Sequence, residues 1–599
     1  MIKRSHPGER PRAFPDKLTD AAIALSLAFG YVVWLLRTTR DLGYARDEGF
    51  YFQAAQSYGR WFEALLTDRH AALARPAVDA AFSVNHEHPA LIKSLFALSS
   101  VFLQKRHHLF AVEGDSYRFP AMVLAGGVVG LVYVWGTQAR GRVAGLTAAV
   151  LLAAMPRFFF HAHLACFDVP IVTMWTLGAY MYWRSLRDGG VLFPLLAGLC
   201  FGLALDTKHN SWFLPIACGA HFLALQVWAI LARTRVGPLL PVPPAPGTTR
   251  RRGFAALVAM ALLGPAVLVA LWPWLWHDTV PRVREYVLFH LNHEYYNMEF
   301  LGKNYWAAPM PRGYAWLMTA ATVPTVTLVL FAVGLAVRGR LWLVGVGRWL
   351  AGKRVTLRAE TPVDAAGTDV LWLLCILINY AAWLSPGTPI FGGTKHWMTA
   401  YPFLALFAGA GFSAVVGAAR AELFRSRRRS AIVRRFAASS WAPAVVMGAA
   451  VAAAPITETV RSHPWGLSSY TPLVGGAAGG ASLGLNRTFW GYATGAVADF
   501  LDREAPPQGA SVYIHDTAGP AWDMLLRDGR IRKDIRGVWS IAGADFGIYH
   551  HEMHMLGQEY QNWVAFGTVR PAYIGGLDGV PVIWVYETER IAALHGHGR

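Results

Sequence analysis

Long apolar runs separated by short polar linkers dominate the chain from residue 18 to residue 457. A helix needs about 20 apolar residues to cross the hydrocarbon, and ~17 suffice. On that measure, spans are expected at 18–36, 119–137, 143–156, 168–183, 191–205, 211–232, 254–276, 315–337, 369–384, 398–419 and 438–457. The runs 143–156, 191–205, 211–232, 315–337 and 398–419 contain no Asp, Glu, Lys or Arg. That is informative, because a charge at the bilayer centre costs about 2.5–3.5 kcal/mol on insertion scales. The pattern predicts an α-helical polytopic membrane protein with about eleven transmembrane helices. The run 91–103 is left out: it is short and contains Lys93, and it is expected to lie as a helix in the interface.

The pattern changes after residue 457. The tail, 458–599, is mixed in composition, with short strands expected at Ser511–His515 and Val580–Tyr586 and a helix at Gly519–Arg527. This divides the chain into a transmembrane domain, 1–457, whose first outer loop is 37–118, and a small C-terminal extracytoplasmic α/β domain, 458–599. The first apolar run has no small-residue cleavage site behind it and reads as a retained anchor. The Pro/Gly-rich stretch Gly237–Thr249 reads as a flexible cytoplasmic loop, and Gly475–Ala481 as a flexible hairpin or loop. No internal repeat of fixed period is present.

Composition agrees with a membrane protein. Of 599 residues, 54% are hydrophobic and only 15% charged, where a soluble chain would carry about 25% charged residues. The 24 Trp suit two membrane–water interfaces. The formal charge of +18 does not point to nucleic acid, because the basic residues sit in short clusters between apolar runs. Those clusters are the N-terminal Lys3, Arg4, Arg10, Arg12 and Lys17; then Arg140 and Arg142; Arg184 and Arg187; Arg233, Arg235 and Arg250–Arg252; Arg338 to Arg358; and the arginines of 420–435. With the expected spans they all fall on one side, which is the cytoplasmic side. The outer regions are then 37–118, 157–167, 206–210, 277–314, 385–397 and the tail. Cys166, Cys200, Cys218 and Cys375 have neither metal-pair nor disulfide-framework spacing and read as small core residues.

The candidate chemistry lies in these outer regions. Asp47 and Glu48, in Gly43-Tyr-Ala-Arg-Asp-Glu-Gly, follow the first span closely. They read either as a solvated acidic pair beside Arg46 or as a carboxylate base facing a lipid-linked substrate, since a hydroxyl needs a base to attack at neutral pH. Asn85-His86-Glu87-His88-Pro89 offers imidazole and carboxylate ligands for a divalent metal, with Glu87 and His88 the candidates, or else a polar turn before the next helix. As a metal site it needs a further ligand from elsewhere. Asp168 opens a span, which either favours the helix N-terminus or faces a polar cavity. Lys208 and Lys395 stand at span ends, where a lysine ordinarily snorkels. With Arg118 they also supply cations for a departing phosphate. His550-His-Glu-Met-His554 lacks the His-Glu-x-x-His spacing and reads as an exposed polar loop.

The order of these motifs resembles the membrane-bound glycosyltransferases of the C-type (GT-C) fold. The marks are an acidic pair after span one, Glu87-His-Pro89 opening a juxtamembrane helix, Arg118-Phe-Pro120 opening span two, Asp168-Val-Pro170 opening span four, and Gly392-Gly-Thr-Lys-His-Trp-Met-Thr-Ala-Tyr-Pro402 entering a late span. The chain is similar to the group that holds the protein O-mannosyltransferases and the lipid A aminoarabinose transferases, glycosyltransferase family 39-like, over roughly 18–420 and more weakly over 463–492. The resemblance implies an inverting glycosyltransferase. It would move a sugar from a polyprenyl-phosphate carrier to a lipid, glycan or protein acceptor at the outer face of the cytoplasmic (inner) membrane. It further implies Asp47 as general base, Glu48 holding the acceptor or its loop, Glu87 near donor phosphate or metal, Asp168 as the second-loop acid, and Arg118, Lys208 and Lys395 on the phosphate side. His88 stands where a Lys is common in the aminoarabinose transferases. A polytopic transporter, and a flippase or ligase for lipid-linked glycans, are the competing readings; the span-end placement of the ionisable groups and the missing repeats favour the transferase.

Overall fold

The computed structural model describes residues 14–188, 190–231, 246–350, 367–425, 431–439 and 441–594. The larger part of Gly237–Thr249, and the basic residues before residue 14, at 233–235 and at 353–358, lie outside them.

Each expected run is helical. Among the described residues, five helices are long and apolar enough to cross a membrane: Asp16–Asp41, Glu113–Arg140, Arg250–Leu271, Met398–Phe424 and Ala442–Ser462. Two bent pairs raise this to seven by length and composition, short of about eleven. Leu192–Leu205 and Thr368–Leu384 are shorter apolar helices. The last long helix runs on to Ser462, past the boundary expected at 457.

Two expected spans are broken, and for one reason. The run 143–156 ends as Arg142–Ala153, and a second helix, Pro156–His163, leaves at 67°. The run 315–337 is split into Tyr314–Thr322 and a helix from Thr325, bent by 116°. In each case the residue before a proline is extended: Met155 at φ −90°, ψ 117° and Val323 at φ −87°, ψ 130°. Proline Cδ crowds the preceding residue out of the helical region, so the helix stops there. The first break turns residues 157–163, expected as an outer loop, into a buried helix that carries Arg157 and His161 inward.

The segment Leu91–Leu98, left out of the expected spans, is helical and well packed. It packs its Ile92, Phe96 and Ala97 into the core, against the helices Arg46–Thr67 and Glu113–Arg140. Lys93 is buried and donates to the carbonyls of Asn85 and His88 (2.5 and 2.8 Å). Several tryptophans likewise serve the interior rather than an interface: Trp135, Trp175, Trp183, Trp272, Trp372 and Trp397 are fully buried. All four cysteines are free and buried.

The tail carries a five-stranded sheet: β3 (Ala510–Tyr513), β4 (Ile535–Val538), β5 (Phe546–His550), β6 (Tyr573–Leu577) and β7 (Val580–Glu587), in the order β4-β3-β5-β7-β6. β3 is parallel to β4 and β5, and β7 is antiparallel to β5 and β6. β1 (Met298–Phe300) and β2 (Lys303–Tyr305) form a separate hairpin in the loop after the helix Thr279–Leu291. Gly476–Ser482, expected as a hairpin or loop, is a short helix.

At the end of the helices far from the tail, Arg140 and Arg338 clamp Asp369 (2.6 and 2.7 Å), and Arg142 bonds Asp20 (2.6 Å) and Asp16 (3.1 Å). At the other end a continuous apolar core runs from the helices into the tail, joining Phe52 and Tyr117 to Trp522 and Leu525. The contact is close enough to need a bare backbone at Gly43, where a Cβ would sit 2.3 Å from the Tyr492 carbonyl oxygen.

Candidate active site

Where the helices meet the tail lies a cavity of about 770 Å³. All five expected outer regions and the tail contribute to its wall: Asp47 and Glu87 from the first, Asp168 with Arg157 and Cys166 around the second, Lys208 and His209 from the third, His290 and Trp306 from the fourth, Lys395 and His396 from the fifth, and Trp490, Glu552 and His554 from the tail.

Asp47 stands in the first turn of the helix Arg46–Thr67, where a carboxylate suits the positive helix end. Its side chain keeps 30% exposure, and its Oδ2 lies 3.6 Å from Lys395 Nζ. Lys395 follows two glycines in the left-handed region, Gly392 (φ 69°) and Gly393 (φ 61°). A Cβ on Gly392 would sit 2.3 Å from Lys395 Cε, so the turn lets the lysine fold back over its own loop. Its ammonium then rests 3.9 Å from the Trp490 ring centre, a cation–π contact. Arg46, beside Asp47, is bonded to Asp516 of the tail.

A second charged pair sits deeper. Lys208 Nζ donates to Asp168 Oδ1 at 2.6 Å, and His161 Nδ1 lies 3.3 Å from Asp168 Oδ2. Arg157 donates to the Ser469 carbonyl (3.3 Å) and stacks over Tyr470. Lys208 and Lys395 are therefore interior cations rather than snorkelling anchors, at 8% exposure each.

Glu48 and Arg118 do not line the cavity: Arg118, expected on the phosphate side, is turned onto Glu48, and of the two roles expected for Glu48, acceptor or loop, its contacts are those of the loop. Both are buried, at 0% and 1% exposure. Arg118 Nε and Nη2 each donate to Glu48 at 2.8 Å, while the backbone N–H groups of Ala45 and Ala165 donate to the same carboxylate at 2.9 Å. Arg118 also donates to the carbonyls of Gly43 and Thr39. Every strong hydrogen-bonding direction of the pair is used, which is what allows two charges to be buried together. The pair fixes the loop carrying Asp47 to a long helix and to the segment preceding Asp168.

Glu87 and His88 reach the cavity, but among the described residues they are not part of any group of three metal-ligating atoms within 4.8 Å. Glu87 Oε1 accepts from Asn85 Nδ2 at 2.6 Å. Burial, with the Lys93 ammonium nearby, holds the His88 imidazole well below its ordinary range and so neutral.

A different trio does meet that criterion: Glu299, Glu552 and His554. The sequence reading missed it. Glu299 lies in a segment with no motif, and the histidine cluster read as exposed has His550 at 0% and Glu552 at 5% exposure. Burial, then the adjacent Glu299 carboxylate, pushes Glu552 up to about 8. Burial also presses His515 and His551 down to about 4.

Fold and site together define a helical membrane protein with a charged cavity at one end of its helices. Residues 98–240 match the family model described as dolichyl-phosphate-mannose-protein mannosyltransferase, and over that segment the chain is related to that family. No curated protein matches the chain. Among solved structures, the chain is similar to ArnT from Cupriavidus metallidurans bound to undecaprenyl phosphate, at 13% identity and a TM-score of 0.40, covering 96% of this chain and 98% of that one. It is similar to the archaeal oligosaccharyltransferase AglB from Archaeoglobus fulgidus, in complex with an inhibitory peptide and a dolichol-phosphate, at 9% identity and a TM-score of 0.44, covering 93% and 72%. It is also similar to the arabinosyltransferase EmbB from Mycobacterium smegmatis, at 14% identity and a TM-score of 0.33, covering 79% and 44%. The relation to the family rests on the matched segment.

Proposed function

We propose that the chain is an inverting glycosyltransferase that moves a sugar from a polyprenyl-phosphate carrier to a lipid, glycan or protein acceptor at the outer face of the cytoplasmic membrane. The observation that carries this reading is the juxtaposition of a partly exposed carboxylate, Asp47, with the cation Lys395 at 3.6 Å in one cavity, with Lys208 and Arg157 in the same wall. The match of 98–240 to a family described by its dolichyl-phosphate-mannose donor supports it.

Asp47 accepts the proton of the acceptor hydroxyl as that oxygen attacks the anomeric carbon of the donor. The bond from that carbon to the phosphate oxygen breaks, and its electrons leave with the polyprenyl phosphate. Lys395, Lys208 and Arg157 hold the charge that accumulates on the leaving phosphate. The acceptor oxygen attacks on the face opposite the breaking bond, which inverts the sugar, and the phosphate leaves toward Lys208 and Arg157. Asp168 holds Lys208 in place, and the Glu48–Arg118 pair holds the turn that presents Asp47.

The test supplies purified protein with a radiolabelled polyprenyl-phosphate sugar and a membrane extract. Wild type is expected to move label into the extract and Asp47→Asn to lose at least about a hundredfold in rate. Equal transfer by both removes Asp47 as base. Label crossing a proteoliposome membrane with no transfer supports a carrier instead.

A further inference from the structure

We propose that Glu299, Glu552 and His554 form a divalent-cation site of the zinc class that fastens the β1–β2 hairpin to the tail at the rim of the cavity. Glu299 is the central residue of β1. Glu552 and His554 lie in the turn after β5. The two segments already touch: the Met553 backbone N–H donates to the Glu299 carboxylate, across 254 positions of sequence.

The geometry suits a small cation. His554 Nδ1 lies 3.6 Å from Glu299 Oε1 and 3.6 Å from Glu552 Oε2, and the ligand atoms of all three lie within 4.8 Å of one another. Ligands about 2.1 Å from a tetrahedral zinc stand about 3.4 Å apart. Small side-chain adjustments therefore bring all three into coordination. One imidazole with two carboxylates is a donor set that zinc accepts.

A separate observation points to a missing partner. Glu552 is 5% exposed, and its Oε1 has no hydrogen-bond partner. Two buried carboxylates held together are costly unless a positive charge sits between them. Among the described residues neither is paired with Lys or Arg; Arg46, whose charge reaches Glu552, is bonded to Asp516. Asn297 Nδ2 occupies His554 Nδ1 at 2.8 Å, while Asn297 Oδ1 is buried without a partner. A cation at Nδ1 displaces that donor, and a half-turn of the amide then offers Oδ1 as a fourth, neutral ligand. The Trp306 ring stands edge-on to His554. Because Glu552 and His554 line the cavity, the cation holds the lip of the cavity in place.

Cation binding at this trio does not depend on the transfer chemistry. The full chain in nanodiscs is stripped with EDTA, loaded with ZnCl₂, passed over a desalting column, and its metal content measured by mass spectrometry. Wild type is expected to hold about one zinc more than Glu299→Gln/Glu552→Gln, and to gain thermal stability on loading where the variant gains none. His554→Gln, which keeps both carboxylates, is the second variant, and it too is expected to lose that zinc. Equal zinc in wild type and both variants, or no zinc in wild type, overturns the proposal. So does Mg²⁺ retained in preference to zinc when the stripped protein is loaded with both at equal concentration.

Discussion

Asp47 and Glu48 are adjacent, yet the structure gives them different work, and substituting each separates the two. In Glu48→Gln the side chain stays nearly isosteric. One carboxylate oxygen becomes an amide nitrogen, which then faces two donors, either Arg118 Nη2 and Ala45 N or Arg118 Nε and Ala165 N. The buried guanidinium loses its countercharge. Removing one partner of such a pair costs about 3–5 kcal/mol. In Asp47→Asn the lost contact is a 3.6 Å pair on a side chain with 30% exposure, worth at most about 1 kcal/mol. With an unfolding entropy of ~2.1 cal/mol/K per residue, a chain of 599 residues converts 3–5 kcal/mol into a fall of roughly 2–4 °C in Tm. Thermal unfolding in nanodiscs, followed by tryptophan fluorescence, is expected to show that fall for Glu48→Gln and less than about 1 °C for Asp47→Asn. Transfer activity is expected to rank the other way, with Asp47→Asn the more damaged at a temperature where both are folded. A Glu48→Gln protein as stable as wild type, or an Asp47→Asn protein destabilised as much as Glu48→Gln, refutes the assignment of anchor and base.

Other outcomes follow from the same geometry. Lys395→Gln is expected to weaken polyprenyl-phosphate binding roughly tenfold to a hundredfold, the value of a charge-assisted hydrogen bond, read by tryptophan quenching against the lipid phosphate; unchanged affinity places the phosphate elsewhere. Gly43→Val puts a side chain into the Tyr492 and Gly495 backbone; limited proteolysis is expected to release the tail faster, with a stability loss of about 1–3 kcal/mol. His290 is held down to about 4, by burial first and His293 second, against an ordinary value near 6.5. Between those values the unfolded chain binds a proton that the folded imidazole refuses. Its stabilising contribution is therefore present above about pH 6.5 and lost as pH falls toward 4, at no more than about 1.4 kcal/mol per pH unit. His290→Gln is expected to flatten the acid limb of the stability profile, and an unchanged limb excludes His290 as a source.

Local composition determined a great deal about this protein. Apolar runs with few charges become helices in any context that removes water, so every expected run is helical. The strands at 510–513 and 580–587 and the helix Gly519–Arg527 also lie where their alternation and turn residues place them. The breaks before Pro156 and Pro324 are departures from the unbroken spans expected at 143–156 and 315–337, although the clash that forces them involves only neighbouring residues. The sequence also carried Asp47, Asp168, Lys208 and Lys395 to one end of the helices, because span ends and charge bias are read in order along the chain. Tertiary structure alone decided which of two adjacent carboxylates faces the cavity and which is consumed by Arg118. It alone joined Lys208 to Asp168 and Lys395 to Asp47 and Trp490. It alone turned Glu552 and His554 inward to meet Glu299. The physical reason is that burial and pairing depend on what other segments bring into contact, and hydropathy along the chain holds no record of contacts between residues hundreds of positions apart.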